Sequence, residues 1–361
     1  MSLPFENSDT ALREQVDQTL QTRKAAGLEG MVGGLEAVVV NVEPESLRDA
    51  AQEFLSVTGY MFEQAWRSES GRGCQLRQEG SADFLFTCRS GECTPFAPFN
   101  PGPKSQHLPQ TRLETFIFKC PDLERFVALQ REQGRCFLTA EPIRTQNFLF
   151  IQTPPSRYTG NSIGFVQWLQ EEGQWAWPGS VPLNWRLEKP DYPHLSNVRE
   201  LDHAATRVRA EERDRAIIEF MEWTNYQFDF AVYVESLNSI TNVARLSAED
   251  FSMVFTSGIK PFAGMEDSGP TEKYIHNYNT RVHHLAFHTQ NIEQTFQGLQ
   301  EQGVEFLVEL VGGPSEGLHQ TFTKPMEHTL LVNEYILRYG DFDGFFTKSN
   351  VTKLTAATEA Q

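Results

Sequence analysis

The apolar and polar positions of this chain repeat one order of elements four times. Residues 35–42 (LEAVVVNV) are an aliphatic run that predicts a buried strand. Residues 47–58 carry apolar positions at helical spacing behind Pro44 and Ser46, and strand patterns follow at 60–66, 74–79 and 83–88. A stretch rich in proline and glycine, 90–110, reads as a loop. The order then returns as a strand at 112–119, a helix at 122–134 ending at glycine, and strands at 136–140 and 146–152. It returns again as a strand at 198–208, a helix at 210–224, and strands at 227–234, 239–244 and 251–256. The fourth round is a strand at 280–289, a helix at 292–303, and strands at 306–310, 319–323 and 329–338. Between rounds two and three, residues 154–195 hold Trp168, Trp175, Trp177 and Trp185 among prolines and read as a connection. A short helix at 9–24, capped by Asp9 or Thr10, precedes the first round, and a helix from Asn350 closes the chain. The pattern predicts an α+β fold of four strand–helix–strands units in two halves. The expected division is a polar segment 1–30, a first half 31–194 and a second half 195–361.

One strand breaks its own pattern. Residues 329–340 read TLLVNEYILRYG, and alternation places Val332, Glu334 and Ile336 on one face. A carboxylate between apolar neighbours on a core face is costly unless a cation, a hydrogen-bond network or a metal pairs with it. Two more residues of that kind stand in matching places. The first strands of rounds three and four carry His203 (in LDHAAT) and His284 (in VHHLAF), while the first strands of rounds one and two carry no histidine. Two imidazoles and one carboxylate on one inner face form the donor set of non-haem Fe(II) oxygenases, which leaves coordination positions open. Each residue also has a plainer reading. His203 alone fits a strand histidine with one hydrogen bond, and Glu334 fits a partner for Arg338 on the same face. Alternation puts His284, Ala286 and His288 on one side and His283, Leu285 and Phe287 on the other, without choosing between them. His288 is either a residue behind His284 or a histidine at a strand end.

Composition narrows the alternatives. The 27 Phe, 9 Tyr and 6 Trp suit β-rich packing around an aromatic pocket. A net charge of −17 argues against nucleic acid and anionic membrane surfaces as partners. The five cysteines (Cys74, Cys88, Cys93, Cys120, Cys136) show no CxxC spacing and read as reduced thiols. With no signal-peptide pattern and no long apolar run, the expected location is the cytoplasm.

Short segments of the second half carry a family resemblance. ELDHA (200–204), ESLNS (235–239), VHHLAF (282–287), QTFTKP (320–325), EYILR (334–338) and the closing GFFTKSNVTKL resemble 4-hydroxyphenylpyruvate dioxygenase and 4-hydroxymandelate synthase. The resemblance implies the vicinal oxygen chelate fold: βαβββ modules paired into two half-barrels, with the metal in the second. It implies Fe(II) as cofactor, held by His203, His284 (rather than His283) and Glu334. It further implies Ser239, Gln320 and Phe322 as substrate-pocket residues. A small 2-oxo acid and O2 would be the partners, and a homo-oligomer is compatible with the family. The implied activity is oxidative decarboxylation of a 2-oxo acid with oxidation of the same molecule.

Several segments depart from the family pattern. Residues 303–320 are short, 255–261 read FTSGIKP, 269–273 read GPTEK, and Val351 stands where the family has phenylalanine. The expectation is an intact metal face and an altered substrate wall. The alternatives are a hydroxylation like that of 4-hydroxymandelate synthase or another 2-oxo acid, an extradiol catechol dioxygenase using His288 or Tyr335 as acid or base, and a small-molecule-binding protein with a vestigial metal site.

Overall fold

The structure, a computed structural model, describes residues 5–91, 94–340, 342 and 344–361. Cys93 lies outside them; of the other cysteines, Cys74, Cys88 and Cys120 are buried, Cys136 is exposed, and none forms a disulfide. Helix α1 (Asp9–Ala25) precedes the first module. That module is β1 (Leu35–Asn41), α2 (Leu47–Val57), β2 (Met61–Ser68), β3 (Gly71–Arg77) and β4 (Asp83–Arg89). In α2 the buried residues Leu47, Ala50, Ala51, Phe54 and Leu55 recur at helical spacing, so one face covers the sheet. The second module is β5 (Arg112–Lys119), α3 (Leu123–Glu132), β6 (Ile143–Arg144), β7 (Phe148–Gln152) and β8 (Ser162–Trp168). A two-residue strand, β9 (Val181–Pro182), joins the far edge of the same sheet beside β2.

The third module is β10 (Val198–Arg207), α4 (Arg213–Trp223), β11 (Gln227–Val234), β12 (Ser239–Arg245) and β13 (Ser252–Ser257). After α5 (Pro270–Tyr278), the fourth is β14 (Arg281–Thr289), α6 (Ile292–Glu301), β15 (Phe306–Gly313), β16 (Leu318–Thr323) and β17 (Val332–Arg338), and α7 (Lys348–Ala357) follows. The sheet orders are β6-β7-β8-β5-β1-β4-β3-β2-β9 and β11-β12-β13-β10-β14-β17-β16-β15. In each, the first strands of two modules lie side by side and antiparallel, and each runs parallel to the last strand of its own module. The result is two half-barrels of the vicinal oxygen chelate architecture.

Several expectations are corrected. Residues 136–140 are irregular rather than a strand. The stretch 154–195 is more than a connection: it contains β8, which pairs with β5 near the centre of the first sheet. Its tryptophan-rich pattern hides a strand because both faces of β8 are covered. Helix α5 falls in a stretch to which the sequence pattern assigned no element. The strand around Glu334 begins at Val332 rather than 329, because Leu330 sits in a turn with φ +60°. The N-cap of α1 is Ser8, without a side-chain cap; the Asp9 carboxylate instead accepts from Arg213 and Tyr233.

The two half-barrels share a core. Phe54, Tyr60 and Phe84 of the first pack against Phe287 of the second, with ring centroids 5.9, 6.3 and 6.4 Å away. Buried arginines fasten one end. Arg112 donates to Thr280 O at 2.8 Å and Arg281 to Thr111 O at 2.8 Å. Tyr335, facing away from Glu334, donates to Val57 O at 2.7 Å.

Candidate metal centre

His203 on β10, His284 on β14 and Glu334 on β17 meet on the concave face of the second half-barrel. Their register explains it: Ala205 pairs with His284, His203 with Ala286, and Ala286 with Glu334. All three residues are buried, and one donor atom from each lies within 4.8 Å of the others. Glu334 Oε2 stands 3.2 Å from His203 Nε2 and 3.3 Å from His284 Nε2. Donors bound about 2.1 Å from an octahedral ion on one face are about 3.0 Å apart, close to these spacings. His203 Nε2 is buried and makes no well-formed hydrogen bond among the described residues, with the Glu334 carboxylate beside it, an expensive arrangement that a bound cation relieves. The donors therefore fit an ion such as Fe(II).

Each donor is held from behind. The register slips between Leu201 and His203, so Asp202 is an extra residue, a β-bulge. Its carboxylate lies beside its neighbour's ring, with Oδ1 2.7 Å from His203 Nδ1, and accepts both Arg338 guanidinium nitrogens. Arg338 is thus the partner of Asp202, not of Glu334. Asp202 holds one ring proton on Nδ1, so His203 presents a lone pair at Nε2 once an ion displaces the proton there. A second slip, between Ala205 and Thr206, makes His283 a bulge as well. Simple alternation put His283 on the opposite face, but the bulge brings its Nδ1 within 2.8 Å of His284 Nδ1. His283 Nε2 lies 2.8 Å from Gln361 Oε1. One proton pattern satisfies this chain: His284 Nδ1–H donates to His283 Nδ1, and His283 Nε2–H donates to Gln361. His284 Nε2 is then free for the ion. Gln320 Nε2 donates to Glu334 Oε1 at 2.5 Å, and Asn350 on α7 donates to Gln320 Oε1 at 2.9 Å. One carboxylate oxygen, Oε2, is left facing the imidazoles.

The electrostatics follow from burial and charge. Burial alone would depress His203, but the carboxylates of Glu334 and Asp202 outweigh it and raise its pKa to about 9. Burial also opposes ionisation of Asp202, yet Arg338 and His203 hold it well below the usual carboxylate range. Burial, with nearby imidazole and Arg207 charge, keeps His283 and His284 neutral.

Other sequence-predicted residues fall in different places. Phe322 packs on His284 with centroids 4.7 Å apart and lines the adjoining cavity. Ser239 is buried at the start of β12, 3.4 Å from Thr271 Oγ1, and Thr271 lines that cavity. Gln320 contacts Glu334 itself. His288 pairs with Glu200 at 3.2 Å, and Tyr335 points into the shared core, so neither reaches the donors. Sequence reasoning missed Asp202, Asn350, Gln361 and Arg207. Only Asp202 left a local signal, as an acid next to a strand histidine.

The cavity is small, about 40 Å³, and lies under α7. Its lining includes apolar Phe346, Val351 and Leu354 and polar Thr241, Thr256 and Arg207. Arg207 is buried, donates to Pro270 O and Thr358 Oγ1, and sits 4.5 Å over the Tyr274 ring.

No protein-family model and no curated protein matches this sequence. Solved structures do match. A triple mutant of 4-hydroxymandelate synthase from Streptomyces coelicolor superposes with a TM-score of 0.68 at 15% identity, covering 91% of this chain and 98% of that one. A xylose isomerase-like TIM barrel/4-hydroxyphenylpyruvate dioxygenase fusion protein gives a TM-score of 0.61 at 14% identity, covering 97% of this chain and 58% of that one. At such identities the likeness is one of fold. Over nearly its whole length, this chain shares the paired half-barrel fold of those two proteins.

Proposed function

We propose that the protein is an Fe(II)-dependent dioxygenase that oxidatively decarboxylates an aryl 2-oxo acid and oxidises the same molecule with O2. The observation that carries this is the buried convergence of His203 Nε2, His284 Nε2 and Glu334 Oε2, with His203 Nε2 otherwise unpartnered among the described residues. Bound there, Fe(II) would supply a redox-active Lewis acid with open positions for the 2-oxo acid and O2. The fold likeness to 4-hydroxymandelate synthase and the 4-hydroxyphenylpyruvate dioxygenase fusion supports the same chemistry.

The chain's own work is positioning and exclusion. Asp202 and His283 fix the two imidazoles in the tautomer that presents Nε2. Gln320 occupies Glu334 Oε1 and leaves Oε2 as a single donor. Phe322, Phe346, Val351 and Leu354 make a dry wall that keeps bulk water from the reacting centre. Arg207, with Thr241 and Thr256, supplies the polar part of the lining. A ring bearing a hydrogen-bonding substituent fits that part better than a bare phenyl group, because a buried guanidinium gains from an added acceptor.

The extradiol reading is disfavoured by the placement of His288 and Tyr335 away from the donors. The test is O2 uptake and CO2 release across a panel of aryl and alkyl 2-oxo acids, with protein loaded with Fe(II) under anaerobic conditions. Mass spectrometry under isotopically labelled O2 identifies the product and separates oxidative decarboxylation with ring oxidation from side-chain hydroxylation. Stoichiometric CO2 release from at least one aryl 2-oxo acid is expected. A protein that holds Fe(II) but turns over no member of the panel would contradict the reading.

A further inference from the structure

The first half-barrel has a concave face too, and that face carries a cavity of about 520 Å³. This is within the range of small-molecule sites. Trp66, Trp177, Phe150, Leu85 and Val39 form its apolar wall. Three charged groups line it: Arg72, which donates to Pro44 O, Arg89, and Glu114, which is fully buried on β5. Glu114 Oε1 accepts from Arg89. Glu114 Oε2 is buried and has no hydrogen-bond partner among the described residues. The register slip between Val39 and Val40 makes Glu114 a bulge, so it sits beside Thr115 on the concave side rather than in the core behind. It occupies the place that His283 holds in the second half, where the bulged residue is fully engaged.

An orphaned carboxylate oxygen in an aromatic cavity calls for a donor. Arg89 already balances the charge of Glu114, so a neutral N–H or O–H suits Oε2 better than an ammonium group, whose desolvation would go uncompensated. The tryptophan-lined wall suits an aromatic ring. We infer that the first half-barrel is a second ligand site, which takes a small neutral aromatic molecule bearing one hydrogen-bond donor, a phenol or an indole, with its donor on Glu114 Oε2. This site is independent of the metal centre and of the reaction proposed there.

The probe is indole, compared with 1-methylindole, which keeps the ring and lacks the donor. Both are titrated into the full chain by calorimetry and ligand-observed NMR. Saturable indole binding is expected, with 1-methylindole about tenfold or more weaker, as befits one hydrogen bond to a charged acceptor. Two variants locate the site. Val39→Trp fills the cavity and should abolish binding. The double variant Arg89→Met with Glu114→Met removes the acceptor without leaving a lone buried charge, and it should bring the two probes to equal affinity. Three outcomes overturn the inference: no saturable binding of indole, equal affinity of the two probes for the unmodified chain, or indole binding unchanged in folded Val39→Trp. The comparison of probes on the unmodified chain decides the matter even if a variant fails to fold.

Discussion

The two half-barrels place different residues on equivalent strands. Matching the ladders sets Ala37 against His203, Thr115 against His284 and Gly164 against Glu334. The bulges match as well: Glu36 with Asp202, and Glu114 with His283. In the second half those bulged residues hold the imidazoles of His203 and His284. In the first, Glu36 accepts from Trp168 Nε1 at 2.7 Å, and Glu114 faces a cavity. Each concave face is covered by chain that follows its last strand. Trp175 and Trp177 cover the first, whereas Phe345, Phe346 and α7 cover the second. One backbone plan therefore supports a polar, tightly held centre in one half and an aromatic chamber in the other. The difference lies in a few side chains at shared register positions.

Removing a donor should have the largest effect. His203→Ala and Glu334→Ala are expected to lower turnover by at least about a thousandfold and to abolish Fe(II) retention, measured by O2 uptake and metal analysis. Thr115→Ala, at the position equivalent to His284, should change neither.

A support residue should matter less than a donor. Asp202→Asn can turn an amide N–H toward His203 Nδ1 and move the ring proton to Nε2. Fe(II) affinity should fall by about 10–100-fold with the fold retained, as read by anaerobic titration. Unchanged affinity would show that Asp202 serves Arg338 alone.

Transplanting the donors should fail. Combining Ala37→His, Thr115→His and Gly164→Glu gives the first half a donor set without its supports. A Cβ at Gly164 would meet Ile117 and Phe150 side-chain atoms at 3.0 Å, so a loss of about 1–3 kcal/mol in stability is expected on denaturation. Tight Fe(II) binding by this variant would make the supporting bulges dispensable.

A pH effect comes from the segment that joins the modules of the second half. Glu272 on α5 accepts from Gly258 N–H and Ala210 N–H, both at 3.0 Å, yet burial, aided by Glu211, pushes its pKa up to about 7. A folded pKa above the unfolded one stabilises the protein at low pH. That contribution is complete below about 4.5 and lost as the pH rises through about 7. Glu272→Gln should therefore gain stability relative to the parent, on the order of 2 kcal/mol above neutral pH, with little gain at pH 4. Parallel melting curves across this pH range check it.

The smallest effect should come from Gln361→Ala. It removes only the acceptor behind His283, so Fe(II) affinity should fall by less than about tenfold.

The sequence showed the strand–helix–strands recurrence and the three donors because both are written in local pattern. His203, His284 and Glu334 stand out as polar residues in apolar strands, at matching places. Strand β8 was hidden because both of its faces are covered, which erases alternation. The bulges were hidden for a different reason. Whether Asp202 and His283 are extra residues depends on the pairing partner, and a single strand does not record it. Gln361 and Asn350 reach the centre only through tertiary packing of α7 and the chain after it.

The central claim is that His203, His284 and Glu334 hold one Fe(II), and that the first half holds none. The direct measurement is anaerobic Fe(II) titration of the full chain, read by metal analysis after desalting, beside His203→Ala and Thr115→Ala. About one Fe(II) per chain is predicted for the unmodified protein and for Thr115→Ala, with none for His203→Ala. Fe(II) retained by His203→Ala, or none retained by the unmodified chain, would contradict it.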